Sequence, residues 1–439
     1  MKIALKALVA FTSAATACMI GCASTGASAP VSSAAAGTAV EKTLGEGARY
    51  FDLTKEKTAY SDDTEYGWDY GTKPQSKKNK TPAYFSVKVP DGNYKVTFEV
   101  GADSYAANTT VRVESRRLLV QDINTNKGET KSFTFVVHKR SPVISEGNLV
   151  RIKPREHDYL NWDEKLTFEF NGKAPAVKSV TVTPDTEAVT LFLCGDSTMV
   201  DGESEPWSSW GQMFPTWFNE KVCVANYAES GETSTSFQNE KRWEKVLSML
   251  KEGDYVFVEF GHNDEKDNFE GAGPFMNYSD NLRMFVNVTR ERKANIILLT
   301  PTERRFFSGP KAKGSHGFYP VAVKKVAEEL NVPVIDITQM TTDMIEKYGP
   351  SESTHFYVHY PEGSFPGQQN RLKDETHFNP FGAWEISKCV VMGLKQMNSP
   401  LVAYLREGWV DFDPKNPDKW DAFPWIWAPS ADVRKPDGN

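Results

Sequence analysis

The sequence predicts two folded parts in succession: an all-β sandwich, then a three-layer α/β/α domain built on a parallel sheet. Three observations carry that prediction. The chain has 439 residues, more than one hydrophobic core usually serves. From about Arg49 to Lys173 its apolar residues alternate with period two, the signature of half-buried strands. From about residue 186 onward, short runs apolar on both faces alternate with stretches of helical periodicity, as the strands and helices of a parallel sheet do.

The first residues read as an address. Lys2 and Lys6 flank an apolar stretch through Phe11 that is too short and too rich in Ser and Thr to span a membrane. Met19-Ile20-Gly21-Cys22 resembles the lipobox of bacterial lipoproteins, with Met19 in place of the usual leucine. The resemblance implies a signal peptide over 1–22, lipid attachment at Cys22, and export to a membrane-anchored position. Ala23, rather than an aspartate, points to the outer membrane, on its periplasmic or cell-surface side. Cleavage after Ala15-Thr16-Ala17, with release into the periplasm or medium, is the alternative. Residues 23–45, mostly Ala, Ser, Thr and Gly at first, have the composition of a flexible tether.

The β part is expected over 46–175. In "AYFSVKVPDGNYKVTFEV", Phe85, Val87 and Val89 share one face. After a Pro-Asp-Gly-Asn turn, Tyr94, Val96, Phe98 and Val100 resume the alternation. "TTVRVES", "RLLVQDI", "KSFTFVVH" and "KLTFEFNG" are further strands, and such a run without helices indicates a sandwich. "VKSVTVTPDTEAV" reads as a link to the second part.

In the second part, over 186–400, "VTLFLCG", "VCVANYA", "DYVFVEF", "NIILLTP" and "VPVIDI" are the expected parallel strands. Helical periodicity marks 239–251, 277–292 and 319–330. Residues 401–439 form a tail containing Trp409, Trp420, Trp425 and Trp427, expected to dock on the body as aromatics usually do. A formal charge of −7 argues against nucleic acid as a partner. Cys194, Cys223 and Cys389 lie in apolar runs without ligand spacing and read as buried small hydrophobes.

In a parallel sheet the ligand site lies beyond the carboxyl ends of the strands. The first strand there delivers Gly195-Asp196-Ser197, the second leads to Ser230-Gly231, and the third ends in Gly261-His262-Asn263-Asp264. Asp374-Glu375-Thr376-His377 is expected to open a helix near Pro380. These residue types suit acyl transfer. A serine hydroxyl attacks only when a base takes its proton. His377 is the candidate base, with Asp374 as its orienting carboxylate. The backbone N–H groups of Ser197 and Gly231 and the amide of Asn263 are the candidate oxyanion donors.

The blocks, in this order, resemble the SGNH (GDSL-like) hydrolases, with Ser197, Gly231, Asn263 and His377 as the signature residues. "YFDLTKEKTAYSDDTEYGWDYG", "LFLCGDSTMVD", "PWSSWGQMFPTWF", "FVEFGHNDEK", "TPTERRFF" and "DETHFNPFGA" resemble the bacterial two-domain form of the rhamnogalacturonan acetylesterase branch. The resemblance implies a flavodoxin-like sheet preceded by a galactose-binding-like sandwich. It also implies a cofactor-free serine esterase, without a metal, whose partner is an acetylated polysaccharide. Acetylated xylan or peptidoglycan is an alternative substrate, and an inactive surface glycan-binding protein an alternative role. One departure is Glu232, where the branch commonly has arginine.

Four further residues are candidate substrate contacts. Arg304 and Arg305 follow the fourth strand and could clamp a carboxylate, His316 could line the cleft, and Glu232 adjoins Gly231. His355 and His359 are spaced i, i+4 but lack the pattern of a helical metal site. Asp196 and Asp264 are expected to fix loops through hydrogen bonds.

Overall fold

In the computed structural model the described residues are 46–77, 82–428 and 436–437. The expected signal peptide, the lipid-bearing Cys22 and the tether lie outside them. No helix among the described residues is long and apolar enough to cross a membrane.

Five strands are parallel, in the spatial order Val222–Asn226, Val189–Gly195, Tyr255–Glu259, Asn295–Leu299 and Val334–Ile335. The order of the sequence is therefore 2-1-3-4-5, the doubly wound arrangement whose ligand site lies where the strand order reverses. Alternation along these strands divides the core in two. Leu191, Leu193, Val224, Phe257 and Ile297 face the helix Pro380–Gln396 through Ile386, Val390 and Leu394. Phe192, Cys194, Val256, Val258 and Leu298 face the helices Asn277–Glu291 and Tyr319–Leu330 through Phe285, Val323 and Val326.

The N-terminal strands form two antiparallel layers enclosing Phe85, Val96, Phe98, Val111, Phe168 and Phe170. One layer has five strands, in the order Tyr66–Asp69, Ala83–Lys88, Lys165–Ala174, Ala107–Val113 and Arg117–Thr125. The other, Arg49–Asp52, Val177–Asp185, Gly92–Val100 and Lys131–Lys139, is not a separate sheet. Val136 and Val137 pair in parallel with Cys223 and Val224, so these four strands continue the parallel sheet into one of nine. The segment after 175, read from sequence as a link, is itself a strand paired with Gly92–Val100 and Arg49–Asp52. Its Val177, Val180 and Val182 complete the sandwich core.

The tail lies against the body. Trp409 packs on Trp217, Trp420 stacks on His355, and Trp427 meets Phe365. The Trp425 ring lies under the Arg112 guanidinium, and its Nε1 donates to Glu205.

Candidate active site

Three strand ends and one late strand bring the candidate residues together. Gly195 ends the first parallel strand where a side chain could not fit: a Cβ there would lie 2.6 Å from the Glu259 carbonyl oxygen and 2.9 Å from the Met199 sulfur. Asp196, fully buried, accepts from the Thr198 N–H at 3.0 Å and the Thr198 hydroxyl at 2.9 Å. This tight turn sets Ser197 in the wall of a cavity, and the Ser209 hydroxyl donates to the Ser197 carbonyl.

Asp374 and His377 do not open a helix. They lie on the strand Leu372–Phe378, paired with Tyr357–Tyr360, and the helix begins only at Pro380. The expected reach of Asp374 to the ring is present all the same. His377 Nδ1 is 2.9 Å from Asp374 Oδ2, and His377 Nε2 is 2.9 Å from Ser197 Oγ. Asp374 Oδ1 also accepts from the Thr376 and His377 N–H groups, and Oδ2 from Trp207 Nε1 at 3.2 Å. Burial opposes charge on this carboxyl, but the His377 ring and the two N–H donors hold it well below the usual carboxylate range.

Gly231 turns the second loop with φ +80°, a conformation that favours glycine. Asn263 Nδ2 donates one hydrogen to the Glu232 carbonyl at 3.0 Å, and Lys266 Nζ donates to Asn263 Oδ1 at 3.2 Å. The amide is thereby oriented and keeps a second N–H. Asp264 accepts from the Ser234 N–H and hydroxyl, fixing the next helix start, and burial pushes its carboxyl up to about 7. Beneath the site, burial pushes Glu259 up to about 8 and His262 down to about 4.

The residues lining the cavity do not include the four candidate substrate contacts. Glu232 is 0% exposed, paired with Lys153 at 2.5 Å and bonded by Ser236. Arg304 is buried between Glu265, Thr376 and the His262 carbonyl. Arg305 forms a two-pronged pair with Glu375. His316 is buried between Glu265 and the Thr302 carbonyl. In each case the charge or ring is paired with a buried or partly buried group of the protein. His355 and His359 also part: one stacks on Trp420, the other bonds Glu375. Among the described residues no cluster of His, Cys, Asp or Glu is arranged to hold a metal ion.

The cavity of about 180 Å³ is lined by Ser197 and His377, by Glu203, Trp207, Glu229 and Ser230, and by Arg155 and Tyr159 from the N-terminal part. Sequence reasoning missed Arg155 and Tyr159. Their signal is "KPREHDYLNW", a polar and aromatic stretch that breaks the period-two pattern. Burial pushes Glu203 and Glu229 each up to about 7.

The model of the GDSL-like lipase/acylhydrolase family matches residues 193–384, which include Ser197, Gly231, Asn263, Asp374 and His377. The rhamnogalacturonan acetylesterase RhgT of Bacillus subtilis (strain 168) is 36% identical over 225 residues, covering 50% of this chain and 96% of that protein. The chain belongs to the GDSL-like lipase/acylhydrolase family. This family member is a serine ester hydrolase. YxiM of the same Bacillus, an uncharacterized esterase, is 25% identical over 333 residues, 74% of this chain and 76% of its own length. The crystal structure of YxiM aligns with 80% of the family member described here and 89% of its own chain, at 21% identity and TM-score 0.44.

Proposed function

We propose that the protein is a carbohydrate acetylesterase whose substrate is acetylated rhamnogalacturonan, working through an acetyl-enzyme on Ser197. The observation that carries this reading is the unbroken line Asp374–His377–Ser197, with both bonds at 2.9 Å, at the edge of a small cavity. The named activity of the Bacillus relative supports the substrate.

In the first half of the reaction Ser197 Oγ bonds to the acetyl carbonyl carbon while its proton passes to His377 Nε2. The negative charge moves to the carbonyl oxygen, where the Ser197 and Gly231 N–H groups and the free hydrogen of Asn263 Nδ2 receive it. The bond from carbon to the sugar oxygen then breaks, and His377 returns the proton to that oxygen. In the second half water replaces the sugar, His377 takes a water proton, and acetate leaves with Ser197 reprotonated. Asp374 holds the ring and stabilises its charged form. A cavity of about 180 Å³ is in the range of cavities that take one small apolar molecule, which suits acetyl better than a long acyl chain.

A neutral backbone such as xylan is the second reading. The cavity wall favours it: Asp158, Asp201, Glu203 and Glu229 face one arginine, Arg155. Acetate release from acetylated rhamnogalacturonan and from acetylated xylan separates the two. Faster release from the pectic polymer supports the first reading; release from xylan alone overturns its substrate and keeps the chemistry. A series of esters of growing acyl length should show activity falling steeply beyond acetyl. We also propose export with lipid attachment at Cys22. Cys22→Ser should move the protein from the membrane to the soluble fraction, and an unchanged membrane fraction would contradict it.

A further inference from the structure

The segment 151–156 of the β part crosses the loop that carries Gly231. Lys153 Nζ donates to the Ser230 carbonyl oxygen at 2.7 Å, and Arg155 Nη2 donates to the same oxygen at 2.8 Å. Arg155 also meets Glu229 at 2.6 Å, and Lys153 meets Glu232 at 2.5 Å. Glu156 and Arg242 form a buried two-pronged pair behind them, and the Arg151 N–H donates to the Glu240 carbonyl.

The Ser230 carbonyl and the Gly231 N–H belong to one peptide unit. That unit is planar, and in the trans form its C=O and N–H point in opposite directions. Two cations on the carbonyl oxygen therefore fix the direction of the N–H. They also draw electron density toward the oxygen, which makes the N–H a stronger donor, as in any polarised chain of hydrogen bonds. Ser230 lines the cavity beside Ser197. Without side-chain restraint, a turn containing glycine has more conformations open to it than any other.

We infer that Lys153 and Arg155 are positioning residues for catalysis, holding and polarising the Ser230–Gly231 peptide so that its N–H receives the developing oxyanion. The inference rests on the reading of Gly231 as an oxyanion donor. Both cations lie outside the stretch 193–384 that the family model matches, so the β part contributes to the chemistry and is more than a neighbour. Glu232 follows from the same arrangement. Its carboxylate, buried against Lys153 and 3.6 Å from Arg242 Nε, neutralises the lysine and keeps it at the carbonyl.

The test uses the full chain and p-nitrophenyl acetate, a probe too small to depend on polymer contacts. Lys153→Met is paired with Glu232→Gln so that no buried charge is left alone; Arg155→Met and Arg155→Lys are made separately, and the first two changes are combined with Arg155→Met. The expected result is a kcat lower by roughly tenfold for Arg155→Met and for the Lys153/Glu232 pair. The triple variant should lose on the order of 10²-fold, approaching the loss of a whole oxyanion donor. KM should stay within about twofold, circular dichroism should show each variant folded, and Arg155→Lys should recover most of the rate. A folded triple variant with kcat within twofold of wild type would overturn the inference, as would a loss that Arg155→Lys fails to restore. Those outcomes leave the functional reading intact if wild-type hydrolysis depends on Ser197. Hydrolysis that survives Ser197→Ala instead sinks the functional reading, and the inference with it.

Discussion

Ser197 stands between two supports built in opposite ways. On one side, Asp374 and His377 lie three residues apart on one strand, and their alignment is completed within that strand by the Thr376 and His377 N–H groups. On the other side, the Glu229–Glu232 turn takes its order from Lys153 and Arg155, the lysine 77 residues from the carbonyl it holds. The first support is mostly local, with Trp207 Nε1 as a donor to Asp374 from elsewhere in the chain. The second exists only when the β part is seated on the catalytic half. On the proposed roles, the carboxylate–imidazole pair is held mainly by its own strand, whereas the oxyanion turn is also held by the β part.

Breaking the local side should have the largest effect. His377→Ala removes the ring whose Nε2 lies 2.9 Å from Ser197 Oγ, and kcat for acetyl esters should fall by roughly 10⁴-fold or more. Asp374→Asn keeps the shape but favours the wrong tautomer of the ring. A fall on the order of 10³–10⁴-fold in kcat with near-normal KM is expected from steady-state kinetics. On the oxyanion side, Asn263→Ala should cost about 10²–10³-fold. A larger loss there than at Asp374 would reverse the ranking of the two supports.

The comparison also explains what could be read in advance. The juxtaposition of Ser197, His377 and Asp374 was legible because they sit in recognisable short blocks, and because a separation of three residues on one chain needs no tertiary knowledge. The parallel sheet was legible from runs such as "LFLC" and "VFVE", apolar on both faces. The joining of Lys131–Lys139 to Val222–Asn226 was not, since a period-two strand shows which face is buried but not which neighbour it pairs with. Arg304 and Arg305 looked like ligand contacts because they follow a strand end, His316 because it falls in a loop that could line the cleft, and Glu232 because it adjoins Gly231. Here each has a partner far along the chain: Arg305 with Glu375, Glu232 with Lys153. Arg155 escaped for the converse reason: its stretch breaks the period-two pattern, but that break does not tell which cavity the loop borders.

Smaller effects sharpen the contrast. Arg304→Met would leave Glu265 and Thr376 without their shared partner and should lower stability by about 3–5 kcal/mol in denaturant unfolding, while KM for acetylated oligosaccharide stays within twofold. A KM rise without loss of stability would restore Arg304 as a substrate contact.

The pH dependence of stability should show both kinds of carboxyl. Glu375 is opposed by burial, yet its bonds to His359 and Arg305 hold it down at about 2, against an ordinary 4.5. Its contribution is complete above pH 4.5 and is lost as pH falls toward 2. Burial pushes Glu203, Glu229 and Glu385 up to about 7 and Glu259 to about 8. Between their ordinary value and these, the folded state binds more protons than the unfolded one, so stability falls as pH rises. The melting temperature should therefore be highest near about pH 5 and decline on both sides; a maximum near pH 8 would contradict these assignments.

The most direct test of the account is acetate release from an acetylated pectic oligosaccharide by wild type and by Ser197→Ala, with circular dichroism showing that both are folded. The wild type should release acetate steadily, and the variant at a rate at least roughly 10⁴-fold lower. Comparable release by folded Ser197→Ala would mean that the hydroxyl aligned with His377 is not the nucleophile.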